Sequence, residues 1–277
     1  MPERARPKQS VLRFLRPRLS GVPIFNYHGL AEAVPEDIPL AARPFWLTPT
    51  KFRSHLAHIR DNGFQAILLS ELQEQAPQPR KIALTFDDGL LTDYEAAFPL
   101  LLEFGMKATF FLNTATIGQA GYLDWAKIAE MQRHGMSFQS HGSRHVDLTL
   151  LPTPVLDGEL MESKKVLEHR LDHPVDFIAA PCGVLDSRVV DRALAAGYRA
   201  VCSTRCLPAR PGSAVLTRIT LHREIPIEEF HSFLTGEVWP YTRRLSRGLL
   251  LRPRNVASHL YGVLRHRWLK QPTVASR

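Results

Sequence analysis

Four times along the chain a stretch with helical spacing ends on a glycine and gives way, within a few residues, to an apolar run of strand type. The junctions are Asn62-Gly63-Phe64, Phe104-Gly105-Met106, His134-Gly135-Met136 and Ala196-Gly197-Tyr198. A glycine placed there reads as the left-handed C-terminal cap of a helix. The runs Val22–Tyr27, Ile82–Phe86, Ala108–Leu112, Ser137–His141, Asp176–Ala180 and Arg199–Thr204 read as strands. The first helix also has a start, with Thr48 as N-cap and Pro49 at its first position. Repeated alternation of strand and helix implies right-handed crossovers and a largely parallel sheet. Periodicity alone leaves an open doubly wound sheet and a barrel equally admissible.

A chain of 277 residues with 44% hydrophobic and 22% charged residues has the composition of a globular domain. Its formal charge of +8 sits at the ends. Residues 1–20 carry six Lys or Arg against one acid, and residues 236–277 carry nine against one, so the stretch 21–235 is net acidic. Basic ends are drawn to nucleic acid or to anionic headgroups. In the C-terminal stretch Arg243, Arg244, Arg247, Arg252, Arg254, Arg265, Arg267 and Lys270 are interleaved with leucines and Trp268. That mixture suits an anionic membrane surface better than nucleic acid, which is not expected as a partner. The alternative is a helix that packs its Leu face on the domain. Pro253 should divide the segment, with a second piece from about Asn255 to Lys270.

No apolar run of about 7 to 15 residues follows the Arg-rich start before Asn26, so a cleavable secretory signal is not expected. No stretch approaches the roughly 18 apolar residues of a membrane span. The expected location is the cytoplasm, with a peripheral seat on the inner membrane face if the tail reaches lipid. Three cysteines, Cys182, Cys202 and Cys206, make an odd set that reads as reduced thiols.

Two segments carry chemistry. Lys81-Ile-Ala-Leu-Thr-Phe-Asp-Asp-Gly-Leu runs a buried strand straight into Asp87 and Asp88, at the strand end where α/β folds bind ligands. Adjacent carboxylates are costly unless a cation or a shared proton compensates. The competing reading makes Asp88-Gly89 a turn and Asp87 a helix cap. Ser140-His141-Gly-Ser-Arg-His145 also follows a predicted strand and can present two imidazoles to one point. Imidazole with carboxylate suits zinc, and one Asp with two His leaves a position open for water.

Thr85-Phe-Asp-Asp-Gly89, His141-x-x-x-His145 and the Pro181-Cys-Gly183 turn together resemble the polysaccharide deacetylase, or NodB-homology, family. Ala97-Phe-Pro-Leu-Leu, Lys107-Ala-Thr-Phe-Phe-Leu, Leu123-Asp-Trp125, Tyr27-His28 and Leu216-Thr-Arg-Ile219 are similar to that family's framing segments. The resemblance implies a distorted (β/α) barrel of fewer than eight strands, a single domain over 21–235 with basic extensions at 1–20 and 236–277. It implies one divalent metal ion, zinc in the first place, held by Asp88, His141 and His145, with Asp87 as general base. It implies that the backbone N–H of Cys182, where the family commonly has Tyr, donates to the oxyanion.

Two positions depart from the family pattern. Ala179 stands where an Arg usually orients the catalytic Asp. The last motif is matched by Ile219-Thr-Leu221-His222, which leaves His222 and His28 as alternative general acids, or His222 as a polar residue on an edge strand. The activity so implied is removal of an N-acyl group, acetyl or formyl, from an amino sugar in a glycan or glycolipid. The alternatives are a hydrolase of small linear or cyclic amides, and a carbohydrate-binding chain that keeps the metal but has lost turnover through Ala179.

Overall fold

The computed structural model describes residues 18–74 and 79–250, with side chains as far as Arg244. Nine short strands pair in parallel: β1 (Ile24–Tyr27), β2 (Gln65–Ile67), β3 (Lys81–Phe86), β4 (Thr109–Leu112), β5 (Ser137–Ser140), β6 (Phe177–Ala179), β7 (Ala200–Ser203), β8 (Val215–Thr217) and β9 (Ile219–Thr220). Their order across the sheet is β8-β7-β6-β5-β4-β3-β1-β9. β8 and β9 are one run of chain interrupted at Arg218, the first part pairing with β7 and the second with β1. That double engagement brings the sheet round on itself. The wall so formed has seven staves, and β2 lies only against the start of β3, from Gln65↔Lys81 to Ile67↔Ala83. The architecture is therefore a parallel (β/α) barrel of fewer than eight strands, which is the choice that periodicity left open.

The helices around it are α1 (Pro49–Asp61), α2 (Leu69–Glu74), α3 (Phe98–Glu103), α4 (Trp125–Arg133), α5 (Thr153–Leu171), α6 (Ser187–Ala195), α7 (Ile227–Leu234) and α8 (Val238–Leu250). A π-helical turn, Asp93–Ala97, leads into α3. Thr48 caps α1 by accepting the Lys51 N–H at 3.1 Å, and Asp124 and Asp186 do the same for α4 and α6. The four helix-ending glycines, Gly63, Gly105, Gly135 and Gly197, all adopt positive φ, between 61° and 88°. That conformation turns the chain from each helix into the following strand and disfavours any residue with a Cβ.

Side chains alternate across the wall. Ile24, Ala83, Phe111, Phe177, Ala179, Cys202 and Leu216 form one buried cluster inside the barrel. Phe25, Tyr27, Phe86, Phe110 and Ile178 belong to a second cluster with the helices. On that outer side Tyr27, Phe86, Phe110 and Phe138 stack in sequence at 5.2, 4.9 and 5.5 Å across four neighbouring staves. Offset stacks of this kind add about 0.5–1.5 kcal/mol each beyond their buried area. Towards the C-terminal ends of the strands the buried interior turns polar, with Asn26, Thr85, Asp87 and Arg218. Cys202 is buried as a small apolar residue, and the half-buried Cys206 lies 3.9 Å from an Arg244 nitrogen.

The start of the basic C-terminal stretch belongs to the packed structure. In α8 the buried Tyr241 sets its ring edge-on to Phe233 at 5.0 Å and donates its hydroxyl to the Phe233 carbonyl. Arg244 donates to the Thr220 carbonyl at 2.8 Å. The Leu19 N–H donates to the Gly236 carbonyl, tying the two ends of the described chain together. Among the described residues no helix is long and apolar enough to cross a membrane. Most of the N-terminal extension, and the tail past Leu250 with its expected break at Pro253, lie outside the described residues.

Candidate metal centre and catalytic cleft

Asp88 follows β3 with φ at +82°, a left-handed position that Asp tolerates better than most residues. Its Oδ1 lies 3.2 Å from His145 Nε2 and 3.7 Å from His141 Nε2. All three side chains are buried, and among the described residues they form the one group of three or more such donors close enough to share an ion. Tetrahedral coordination with bonds of 2.0–2.2 Å sets ligand atoms about 3.3–3.6 Å apart, and the three donors, all within 4.8 Å of one another, lie close enough to share one divalent cation. His141 comes directly off β5, and its Nδ1 lies 2.8 Å from the Ala179 carbonyl. A proton on Nδ1 satisfies that carbonyl and leaves the Nε2 lone pair facing Asp88, the usual arrangement behind a metal-binding imidazole. Burial pushes the His141 pKa below its ordinary value against the pull of Asp87 and Asp88, which favours the neutral, ligating form.

Asp87 points from the end of β3 into the polar top of the barrel. Arg218 grips it with two parallel bonds, Nη1 to Oδ1 at 2.7 Å and Nη2 to Oδ2 at 2.8 Å. Asn26 donates to Oδ2 at 3.0 Å. Arg218 is wholly buried, with its guanidinium over the Phe111 ring at 5.1 Å and Nη1 also within 3.3 Å of Asn26 Oδ1 and Thr85 Oγ1. Burial alone would raise the Asp87 carboxyl, but the Arg218 guanidinium, followed by His141 and His28, more than reverses that and holds it at about 2. Asp87 is therefore ionised at every working pH and fixed in direction, as a bidentate pair fixes both partners.

A cleft of about 450 Å³ opens over these groups. Asp87, Asp88, His141 and His145 line it together with His28, which follows β1. Ala41, Ala42, Phe45 and Trp46 form an apolar side, and Cys182, Gly183, Thr204 and Thr220 contribute elsewhere. Cys182 and Gly183 both adopt positive φ, 61° and 68°. A Cβ on Gly183 would meet Thr204 Oγ1 at 1.9 Å, so only glycine permits this turn to lie so close to its neighbour.

The family model described as polysaccharide deacetylase matches residues 74–201. The structure superposes on Streptococcus pyogenes deacetylase PplD, solved in complex with acetate, with a TM-score of 0.70 and 27% identity over 79% of this chain and 99% of that one. Over residues 74–201 the chain is similar to the polysaccharide deacetylase family. It is 28% identical over 198 residues, 70% of its length, to the putative polysaccharide deacetylase YxkH of Bacillus subtilis, and that match spans 66% of YxkH. It is 32% identical over 131 residues to chitin deacetylase 2 of Cryptococcus neoformans var. grubii, a match covering 47% of this chain and 26% of the relative.

Set against the polysaccharide deacetylase pattern, Asp87, Asp88, His141, His145 and Cys182 all meet at the cleft. His222 does not. It lies off the lining, half-buried, where burial and then the Arg244 charge lower its pKa. The cleft holds the other candidate, His28. The place of the missing arginine is filled from elsewhere: Ala179 packs inside the barrel, and the guanidinium that orients Asp87 arrives from Arg218, between β8 and β9. Arg218 lies within Leu216-Thr-Arg-Ile219, a framing segment whose resemblance to the family assigns it no role. The available signal was a lone cation inside an apolar strand-like run, which needs a buried carboxylate as partner.

Proposed function

We propose that this protein is a metal-dependent hydrolase that removes an N-acyl group, acetyl in the first place, from an amino sugar. The observation that carries the reading is the convergence of Asp88, His141 and His145 on one point beside an arginine-clamped Asp87 at the floor of a cleft. A divalent cation held by those three residues would supply Lewis acidity, polarising the acyl carbonyl and acidifying water. Asp87 accepts the proton of the attacking water through an oxygen lone pair not engaged by Arg218 or Asn26. The Cys182 backbone N–H donates to the oxyanion as the carbonyl becomes tetrahedral. His28, rather than His222, delivers a proton to the departing amine, because it is the one that lines the cleft.

Arg218 supports turnover over the reading of a chain that binds carbohydrate without hydrolysing it, since that alternative rested on Ala179 alone. The mixture of basic residues with Leu and Trp in the tail supports a seat on an anionic membrane surface at its cytoplasmic side, and a lipid-linked amino sugar as substrate. The test pairs metal content with amine release. Wild-type protein should hold one zinc per chain and release amine from N-acetylglucosamine oligomers in preference to small cyclic imides. His145→Ala should lose most of the metal, and His28→Gln should keep it while losing about 10²–10⁴ in kcat. Undiminished zinc in His145→Ala, or faster release from the imides, would overturn the reading.

A further inference from the structure

We infer that Glu159 is the positioning residue of the metal loop, the carboxylate that holds His145 in reach of His141 and Asp88; the inference rests on reading those three as metal ligands. The linking residues Gly142, Ser143 and Arg144 belong to neither helix nor strand. The loop turns through two left-handed positions, Gly142 at φ +77° and His145 at φ +56°. A residue with a Cβ disfavours that conformation, so contacts from outside the loop must hold His145 in it.

Glu159 supplies them from the buried face of α5, where its side chain is 2% exposed. Its Oε1 accepts two successive backbone N–H groups, from Ser143 at 2.8 Å and Arg144 at 2.6 Å. Its Oε2 accepts the Arg144 Nε–H at 3.0 Å. On the other side the loop is met by neutral bonds, the Thr114 N–H to the Gly142 carbonyl at 3.3 Å, the Ala115 N–H to the Ser143 carbonyl at 3.0 Å and the Thr114 hydroxyl to Ser143 Oγ at 3.0 Å. Bonds to a carboxylate are roughly twice as strong as neutral ones. A buried carboxylate also requires its donors, so loop and helix fix each other. The Arg144 side chain is about half exposed, which leaves the two backbone bonds as the firm part of the grip.

A residue that merely supported the fold would change global stability. One that positions ligands should change the affinity and geometry of the metal. The experiment uses the full chain, with cobalt(II) as probe, and compares wild type with Glu159→Gln, Glu159→Asp and Arg144→Ala. Chelator competition gives affinity, the visible cobalt bands report ligand geometry, and hydrogen exchange at Ser143 and Arg144 is read on the metal-free protein. In Glu159→Gln we expect binding about 10–100-fold weaker, altered cobalt bands and faster exchange at both amides, with little change in the urea midpoint. Arg144→Ala should stay within about threefold of wild type. A folded Glu159→Gln protein with wild-type affinity and bands overturns the proposal. If Glu159→Gln does not fold, wild-type affinity in Glu159→Asp overturns it instead. Failure of wild type to take up cobalt removes the metal reading as well, whereas wild-type uptake matched by Glu159→Gln removes only the role of Glu159.

Discussion

At the level of single residues the site turns on a buried ion pair whose members lie 131 positions apart in the chain. Removing one member of such a pair strands the other without a partner, at a cost of about 3–5 kcal/mol. Arg218→Met should therefore lower unfolding free energy by about that amount in urea titrations. Arg218→Lys keeps the charge but cannot make the bidentate grip, and should cut kcat at least about tenfold while metal content stays unchanged. Asp87→Asn should also retain its metal, yet lose about 10²–10⁴ in turnover, because an amide cannot take the proton. With its pKa depressed to about 2, Asp87 contributes its full share of stability above its unfolded value near 4 and loses it only as pH falls towards 2. The acid limb of a pH–rate profile above about pH 4 must accordingly report other groups. Asp87, Asp88, His141 and His145 were legible because each follows a strand in its own local motif. Arg218 and Glu159 act on partners that no local spacing indicates: the lone cation in Leu216-Thr-Arg-Ile219 calls for a buried carboxylate without saying which, and Glu159, between Asp157 and Glu162, reads as one more acid on a helix.

Among the elements, the apolar runs marked six of the staves, and the capping glycines placed the helix ends. β2 escaped because it begins with the exposed Gln65 and the half-buried Ala66, and β8 and β9 because they span three and two residues around a charge. The contact of α1 with α7 carries a pH dependence of its own. His55 of α1 is buried, stacks on Phe230 of α7 at 4.1 Å and meets the Tyr27 hydroxyl at 3.2 Å. Burial, followed by the charges of Lys51 and His58, pushes its pKa down to about 3. The unfolded chain takes up a proton near pH 6.5 that the folded chain refuses, so His55 weakens the fold progressively as pH falls from about 6.5 to 3 and is without effect above that window. One proton corresponds to about 1.4 kcal/mol per pH unit. His55→Phe keeps the stack and loses the Tyr27 bond. It should be less stable at pH 7.5 but show a visibly flatter decline between pH 6 and 4, measured by urea unfolding. An unchanged slope would mean that another group sets it.

For the molecule as a whole, the packed unit extends beyond the stretch 21–235 suggested by charge. Tyr241 and Arg244 of α8 lie against the barrel, so a cut at Thr235 would strip part of its cover. The tail is better tested by comparing the full chain with one ending at Leu250. The full chain should sediment with anionic vesicles at low salt and the shorter one should not, and salt near 0.5 M should release the former by screening. Equal sedimentation of the two would assign the tail's apolar residues to packing alone. The fold class was legible because strand and helix alternate so regularly. Closure was not, since it depends on the three residues before Arg218 and the two after it pairing with two different staves. That junction also has a meaning in time. Asp87 leaves the ribosome well ahead of the guanidinium that seats it, so a chain still being made carries its carboxylates and imidazoles without an assembled base. On the proposed reading, hydrolytic competence arrives with the last stave, because a chain that stops short of residue 218 lacks the guanidinium that seats Asp87.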